Sequence, residues 1–288
     1  DHTIGLFGLM HATGKLGMMN HSILIYPTND GIVDKCTGHD RYSAFYKALG
    51  IREYHGLEGK ESRQTLQNFC FKHAAFGYFP NNVSLDEYHR YYINHFGINQ
   101  TCTKPTILIV DRPNRGVTNF EEIQKLLASH PRLQNTSVRI VDFATLSVIE
   151  QMQVAICSKI IIGVRGAGLY WMYFMNKPSA VIEIGWYRWP ANRYTKRAQV
   201  NGMFAEAVTV PRKDILIDWL AYEKDMKESF GISNITENDK KQILYRSQHS
   251  RWPDGNVYKY VKCSLDCDEL VARVISLFDK LELLGMHV

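Results

Sequence analysis

The chain has 288 residues, of which 45% are hydrophobic and 22% charged, and its formal net charge is +5. This length is sufficient for one large core or two moderate ones, and the composition is typical of a globular protein rather than a disordered one. The absence of any run of about 18 apolar residues excludes a transmembrane helix. The scattered basic residues do not form the dense stripe typical of nucleic-acid-binding proteins, so we expect no nucleic-acid partner.

The first hundred residues show only a weak pattern of strands and helices. Short strands are predicted at residues 21–27 and 51–56, and a helix at 85–97, where Gly97 is a typical stop. The chain starts at Asp1 with neither a methionine nor a signal-peptide pattern. We therefore expect a piece of a longer protein, whose N-terminal α/β lobe (residues 1–100) is truncated.

Residues 101–210 alternate regularly between strands and helices. Four short runs rich in β-branched residues predict strands at 106–111, 138–143, 159–164 and 180–185. Helices are predicted between them at 119–129, 146–155 and 167–175. In the first helix, one apolar face is expected to contain Phe120, Ile123, Leu126 and Leu127. This alternation predicts a parallel sheet of Rossmann-like type, and therefore an α/β fold.

The tail, residues 211–288, is predicted to contain two amphipathic helices, at 215–231 and 268–285, that pack back on the lobes. Asp266 and Asp268 form an Asp-x-Asp pair at the start of the second helix. Such a pair can hold a divalent metal. Because it opens an amphipathic helix here, we interpret it as a helix cap and expect no metal site.

Unusual polar residues and glycines follow three of the predicted strands. Arg112 and Arg115 come after the strand 106–111, "RGAG" (Arg165 to Gly168) follows the strand 159–164, and Glu183 lies near the end of the strand 180–185. In a parallel sheet these groups share one edge, where ligands bind. Glycines let an anion approach the backbone amides, arginines suit phosphate, and a carboxylate can accept hydrogen bonds from ribose. The pattern therefore favours a nucleoside diphosphate.

The glycines have other interpretations. They could simply allow a tight strand-to-helix turn with close packing. The spacing is not G-x-G-x-x-G, so a dinucleotide site is less favoured, and no G-x-x-x-x-G-K-[ST] motif exists, which excludes a P-loop. The segment "GWYRWPANRYTKR" (185–197) could stack a base, line an acceptor groove, or form an exposed loop with a few anchoring rings. An RNA-binding α/β protein is a further alternative that rests on this segment alone.

Two blocks of the sequence resemble the signature of glycosyltransferase family 61. These are "VDRPNRGVTNFEEI" and "VRGAGLYWMYFMNKPSAVIEI", and the resemblance covers about residues 76–200. It implies a GT-B architecture of two Rossmann-like lobes. It also implies an inverting, metal-independent transferase of the endoplasmic reticulum or Golgi that needs no cofactor and uses a UDP-sugar, with GlcNAc or xylose as the sugar.

The resemblance also implies particular site residues. Carried over by position, the nucleotide-sugar-binding residues are Arg112, Arg115, Asn119, Arg165, Gly166, Ala167, Gly168, Leu169 and Glu183, and Glu122 belongs to the same block. Arg165 replaces the histidine of the family. Arginine can bind a diphosphate but cannot act as a base near neutral pH, so a catalytically inactive glycan- or nucleotide-binding relative is the alternative.

The acceptor hydroxyl, on a glycoprotein or glycan, requires a general base in such a reaction. His2 and His11 are the candidate catalytic residues, and Asp30 is a further one. None is distinguished by spacing, because the eleven histidines form no metal-binding or catalytic motif.

Glycosylation sequons and cysteines both indicate the secretory lumen. N-x-[ST] occurs at five positions, about threefold more often than chance predicts. These positions are Asn20, Asn82, Asn99, Asn135 and Asn234. Six cysteines without a C-x-x-C pair favour disulfides over zinc, and buried free thiols are the alternative. We expect the protein to meet a membrane only through a segment outside this chain.

Overall fold

The computed structural model describes residues 22–26, 51–56, 85–112, 116–186, 190–249 and 260–284. The chain divides into two compact units, Asp1–Ile98 and Asn99–Val288. The tail beyond residue 210, which the sequence analysis treated separately, lies in the same unit as the regular α/β segment. Within the described residues, no helix is long and apolar enough to cross a membrane.

The first unit contains a parallel strand pair and a helix. Strand β1 (Ser22–Tyr26) pairs with β2 (Ile51–Gly56), and helix α1 spans Leu85–His95. Both strands and the helix were predicted, and Gly97 has the positive φ of 60° that suits a glycine after a helix. Tyr88 and Tyr92, one helical turn apart on α1, are buried.

The second unit is built on a five-stranded parallel sheet. Its strands are β3 (Thr106–Val110), β4 (Ser137–Val141), β5 (Ser158–Val164), β6 (Ala180–Trp186) and β7 (Phe204–Val210). The spatial order is β4-β3-β5-β6-β7, and every pairing is parallel. The predicted α/β class and parallel sheet are therefore confirmed. The last strand, β7, was not predicted.

Helices cover both faces of this sheet. Helix α2 (Phe120–Ser129) packs on one face together with the long tail helix α7 (Cys267–Leu283). The other face carries α3 (Val148–Ile156), a 3-10 helix over Ala167–Phe174, and α4 (Arg193–Val200). The sheet is therefore sandwiched between two helical layers, as its continuous apolar strands require.

Local chemistry explains the boundaries of these helices. Ser147 and Glu150 form a capping box at the start of α3. Asp266 caps α7 by accepting a hydrogen bond from the backbone N–H of Glu269 at 2.9 Å, as we predicted for the Asp-x-Asp pair. The face of α2 was predicted less well. Phe120, Ile123 and Leu127 are buried, but Leu126 is 39% exposed.

The tail differs from the prediction in one place. The single helix predicted at 215–231 is a short strand, β8 (Ile215–Ile217), followed by α5 (Trp219–Phe230). Asp218 separates them because its side chain accepts a hydrogen bond from the N–H of Ala221 at 3.0 Å and so caps α5. Strand β8 then pairs antiparallel with β9 (Val261–Cys263). Helix α6 (Glu237–His249) was not predicted.

A disulfide links Cys102 to Cys157, at a sequence separation of 55. It connects the segment before β3 to the end of α3. The start of β3 is therefore covalently linked to the helix that joins β4 to β5. The expectation of disulfides from the cysteine count is confirmed for this pair. Within the described part of the chain, Cys263 and Cys267 are free thiols, and burial raises the pKa of Cys263 to about 11.

Candidate functional site

The strand order marks one point of the sheet edge at which a crevice is expected. Numbered within the second unit, the strands have the spatial order 2-1-3-4-5. The direction in which successive strands are added to the sheet therefore reverses between β3 and β5, although these two strands are parallel. Helix α2 leaves β3 on one face, whereas the 3-10 helix leaves β5 on the other. The carboxyl ends of two such strands form a crevice that ligands commonly occupy in open α/β sheets. We call it the switch-point crevice, and define it by Arg112, Arg165 and Gly166.

The side chain of Arg112 reaches across the crevice from β3 to the turn after β5. Its guanidinium lies directly against Gly166, where an added Cβ would be 3.3 Å from Cζ and still closer to Nη1. Any residue other than glycine would therefore displace this guanidinium. The structure brings together Arg112 and Gly166, two of the residues that the sequence analysis assigned to one ligand.

Arg165, the residue before Gly166, is anchored through both its backbone and its side chain. Its backbone N–H donates to the carbonyl of Ile184 at 2.8 Å, and its Nη1 donates to the carbonyl of Pro190 at 3.0 Å. Burial lowers the pKa of Arg165 and the charge of Arg193 acts in the same direction, while Glu183 opposes both. An arginine nevertheless stays protonated near neutral pH. The crevice edge is therefore positively charged.

The backbone after Gly166 adds further donors. The 3-10 helix over Ala167–Phe174 begins here, and Gly166 occupies its N-cap without a side-chain cap. Amides in the first turn of a helix have no intrahelical acceptor, and the helix end carries partial positive charge. The Arg112 guanidinium and these amides together can bind an anion with several oxygens, such as a diphosphate, and Arg165 adds positive charge next to them in the chain.

Gly168 and the Leu169 side chain pack against the strands β3 and β5. A Cβ on Gly168 would lie 2.7 Å from Cγ1 of Val110, and Leu169 is completely buried against Gly163. Gly168 therefore fits the interpretation that the glycines allow close packing in a tight turn. Gly166 fits the interpretation that a glycine leaves the backbone open to an anion. Leu169 was predicted by position to belong to the nucleotide-sugar site; its side chain has no exposed surface, and its role in binding stays a prediction.

This difference between the two glycines leads to a prediction about stability. We expect Gly168→Ala to lower the free energy of unfolding by about 1–3 kcal/mol, because the new methyl must displace the buried Val110. Gly166→Ala is the matched control and should cost much less stability, since only the end of the Arg112 side chain has to move. Chemical denaturation of both variants would measure this. Equal losses would show that the two glycines have the same role.

Glu183 lies inside β6 rather than at the crevice surface. Its carboxylate is completely buried and accepts hydrogen bonds from the N–H groups of Arg193 at 3.3 Å, Tyr194 at 2.9 Å and Thr195 at 2.9 Å. The hydroxyl of Thr195 donates a fourth bond at 3.0 Å. Glu183 thus caps the N-terminus of α4. The predicted hydrogen bond to a ribose is corrected accordingly, because no ligand can reach this buried carboxylate here.

Asn119 and Glu122 also have partners other than those predicted. Asn119 donates through Nδ2 to the carbonyl of Leu265 at 2.8 Å and accepts at Oδ1 from the N–H of Leu265 at 3.0 Å. Its Nδ2 is also 3.2 Å from Sγ of Cys267. Burial and the nearby Glu122 carboxylate raise the pKa of this thiol. Both residues therefore contact the tail.

Several of the remaining candidate residues lie in parts of the chain that the structure does not describe. Arg115, His2, His11 and Asp30 lie outside the described residues. The backbone of Ala167 begins the 3-10 helix. Arg193, at the start of α4, was not among the predicted site residues. Its positive charge adds to the burial that lowers the pKa of Arg165.

Two comparisons with known proteins gave a match. The family described as Glycosyltransferase 61 matches residues 64–182, a range that includes Arg112, Arg165 and Gly166. The chain is also 23% identical over 246 residues to the EGF domain-specific O-linked N-acetylglucosamine transferase of Xenopus laevis. That match covers 74% of this chain and 45% of the relative, so the chain spans about half of the relative's length.

Proposed function

Because residues 64–182 match the family Glycosyltransferase 61, we propose that this chain transfers a sugar from a UDP-sugar to a hydroxyl of a glycoprotein or glycan. The observation that carries the proposal is the switch-point crevice, where the Arg112 guanidinium lies on the bare face of Gly166 beside Arg165. These groups suit the diphosphate of the donor. GlcNAc, the sugar in the name of the Xenopus relative, and xylose are the proposed donor sugars.

The proposed reaction is a direct displacement with inversion. The acceptor oxygen forms a bond to the anomeric carbon while the bond from that carbon to the UDP oxygen breaks. The acceptor proton passes to a general base, and UDP leaves with its negative charge. Arg112, Arg165 and the amides after Gly166 stabilise this charge, and such preorganised donors usually supply the largest catalytic contribution.

The general base is proposed to come from the N-terminal region, with His2, His11 and Asp30 as the candidates. The proposal also includes a GT-B architecture, activity without a metal ion, and a place in the lumen of the endoplasmic reticulum or Golgi. Exposed sequon asparagines at Asn99, Asn135 and Asn234 support the compartment.

The alternative function is UDP or glycan binding without catalysis. Arg165 favours this alternative, because an arginine here replaces the histidine of the family and cannot exchange a proton near neutral pH. An arginine at the leaving group does not need to exchange a proton, however, because its contribution is charge stabilisation. The two functions therefore differ in turnover and not in UDP binding.

The function is tested by incubating the protein with UDP-GlcNAc, UDP-xylose and other UDP-sugars and measuring released UDP, with and without EDTA. We expect release from at least one donor, unchanged by EDTA. UDP binding without release from any donor would support the inactive alternative. Failure to bind UDP at all would contradict both.

A further inference from the structure

The segment after β3 is joined to the tail by a short parallel bridge. Val117 pairs with Cys263, the N–H of Thr118 donates to the carbonyl of Cys263 at 2.8 Å, and the N–H of Cys263 donates to the carbonyl of Gly116 at 3.2 Å. The partner strand is β9, which leads directly into α7. The tail therefore holds the backbone only four residues after Arg112.

Asn119 extends this bridge with its side chain. Its amide makes both a donor and an acceptor bond to the backbone of Leu265, which is the pattern that a paired strand residue would make. A single side chain that satisfies both backbone groups of one residue fixes the register of the two segments. Cys267, the first residue of α7, lies beside Asn119, and Glu122 of α2 contacts the same thiol.

The other end of the turn is fixed to the sheet. The N–H of Asp111 donates to the carbonyl of Val141 at 2.9 Å, and the Asp111 carboxylate accepts from the N–H of Arg112 at 2.8 Å. Gly116 approaches the same turn closely, since a Cβ on it would be 3.0 Å from the carbonyl oxygen of Arg112. The backbone of Arg112 is thus held between β4 and the tail.

From these contacts we propose that Asn119 is a positioning residue: it joins the tail segment Cys263–Cys267 to the turn after β3 and so holds Arg112 on Gly166. The tail is then a structural part of the switch-point crevice. This proposal rests on the proposed function only where it concerns the effect of Asn119 on the binding of UDP. Its effect on the turn itself is independent of any ligand.

The ligand-free test is hydrogen exchange in the variant Asn119→Asp. The aspartate has the same shape, but it places an oxygen against the carbonyl of Leu265. We expect the amides of Arg112 and Thr118 to exchange about tenfold faster than in the wild type, which corresponds to about 1.4 kcal/mol, the loss of one hydrogen bond. Unchanged exchange at Arg112 would overturn the proposal.

The matched control is Asp266→Ala, which removes the cap of α7 in the same segment but leaves residues 116–119 intact. We expect it to lower Tm without faster exchange at Arg112. In a titration with UDP, Asn119→Asp should raise Kd about tenfold, since a small misplacement of a binding group is costly, and the control should not. Equal increases in both variants would show that general loss of stability is the cause and would contradict the positioning role.

The two proposals fail differently. If the wild type binds no UDP, the proposed function is wrong, and the exchange experiment still decides whether Asn119 holds the turn. If the wild type binds UDP and the exchange at Arg112 is unchanged in Asn119→Asp, only the positioning role is wrong.

Discussion

Replacing Arg112 with alanine is expected to lower kcat/KM for a UDP-sugar by about two to three orders of magnitude, because a preorganised donor to the leaving group contributes about 2.7–4 kcal/mol. The guanidinium lies at the switch-point crevice against Gly166, so it needs little rearrangement to reach a diphosphate there. Initial rates of UDP release would measure the loss. Arg112→Lys should recover only part of it, since lysine keeps the charge but not the planar pair of donors.

Arg132→Ala is the matched control for this experiment. Arg132 is exposed and pairs with Asp279 and Glu282 at 2.6 Å on the outside of α7, away from the crevice. Exposed ion pairs contribute little to stability, so this variant should retain the wild-type rate. A folded Arg112→Ala variant with a nearly normal rate would mean that Arg112 does not touch the leaving group.

Replacing Glu183 with alanine is expected to lower the free energy of unfolding by about 4 kcal/mol, because it leaves the buried amides of Tyr194 and Thr195 without an acceptor. For a unit of this size, such a loss lowers Tm by roughly 8–16 °C. Thermal unfolding followed by circular dichroism would measure the change. Glu183→Gln should have an intermediate effect. Glutamine has the same shape and keeps one acceptor oxygen, but its NH2 group is a donor that faces the backbone N–H donors of α4.

Glu206→Gln provides the comparison on the neighbouring strand. Glu206 pairs with Arg273 at 3.1 Å and Lys280 at 3.6 Å near the surface, so we expect a loss of about 1 kcal/mol or less. If the Glu183 and Glu206 variants were equally stable, the carboxylate of Glu183 would not be the cap that holds α4.

The sheet could be predicted from the sequence because its central strands are buried on both faces. Their continuous β-branched runs, such as Ile160 to Ile162, leave little ambiguity. Strand β7 is partly exposed and its sequence, "FAEAVTV", is less apolar, which explains why it was missed. The capping role of Asp266 was readable because a helix cap depends on the next three residues only.

The site was predicted less completely because its contacts are long-range. The sequence indicated which residues end the strands, and Arg112, Arg165 and Gly166 do meet at one edge. It could not indicate that Glu183 faces a helix that begins ten residues later, or that Asn119 binds Leu265, 146 residues away. A motif residue can thus stabilise a site through a structural partner without touching the ligand.

The central claim is that the switch-point crevice holds the diphosphate of the donor, and a crystal structure of the protein with UDP bound would test it most directly. The account predicts the diphosphate between the Arg112 guanidinium and the amides that follow Gly166, within hydrogen-bond distance of both. A diphosphate bound elsewhere, with Arg112 still lying on Gly166, would contradict it.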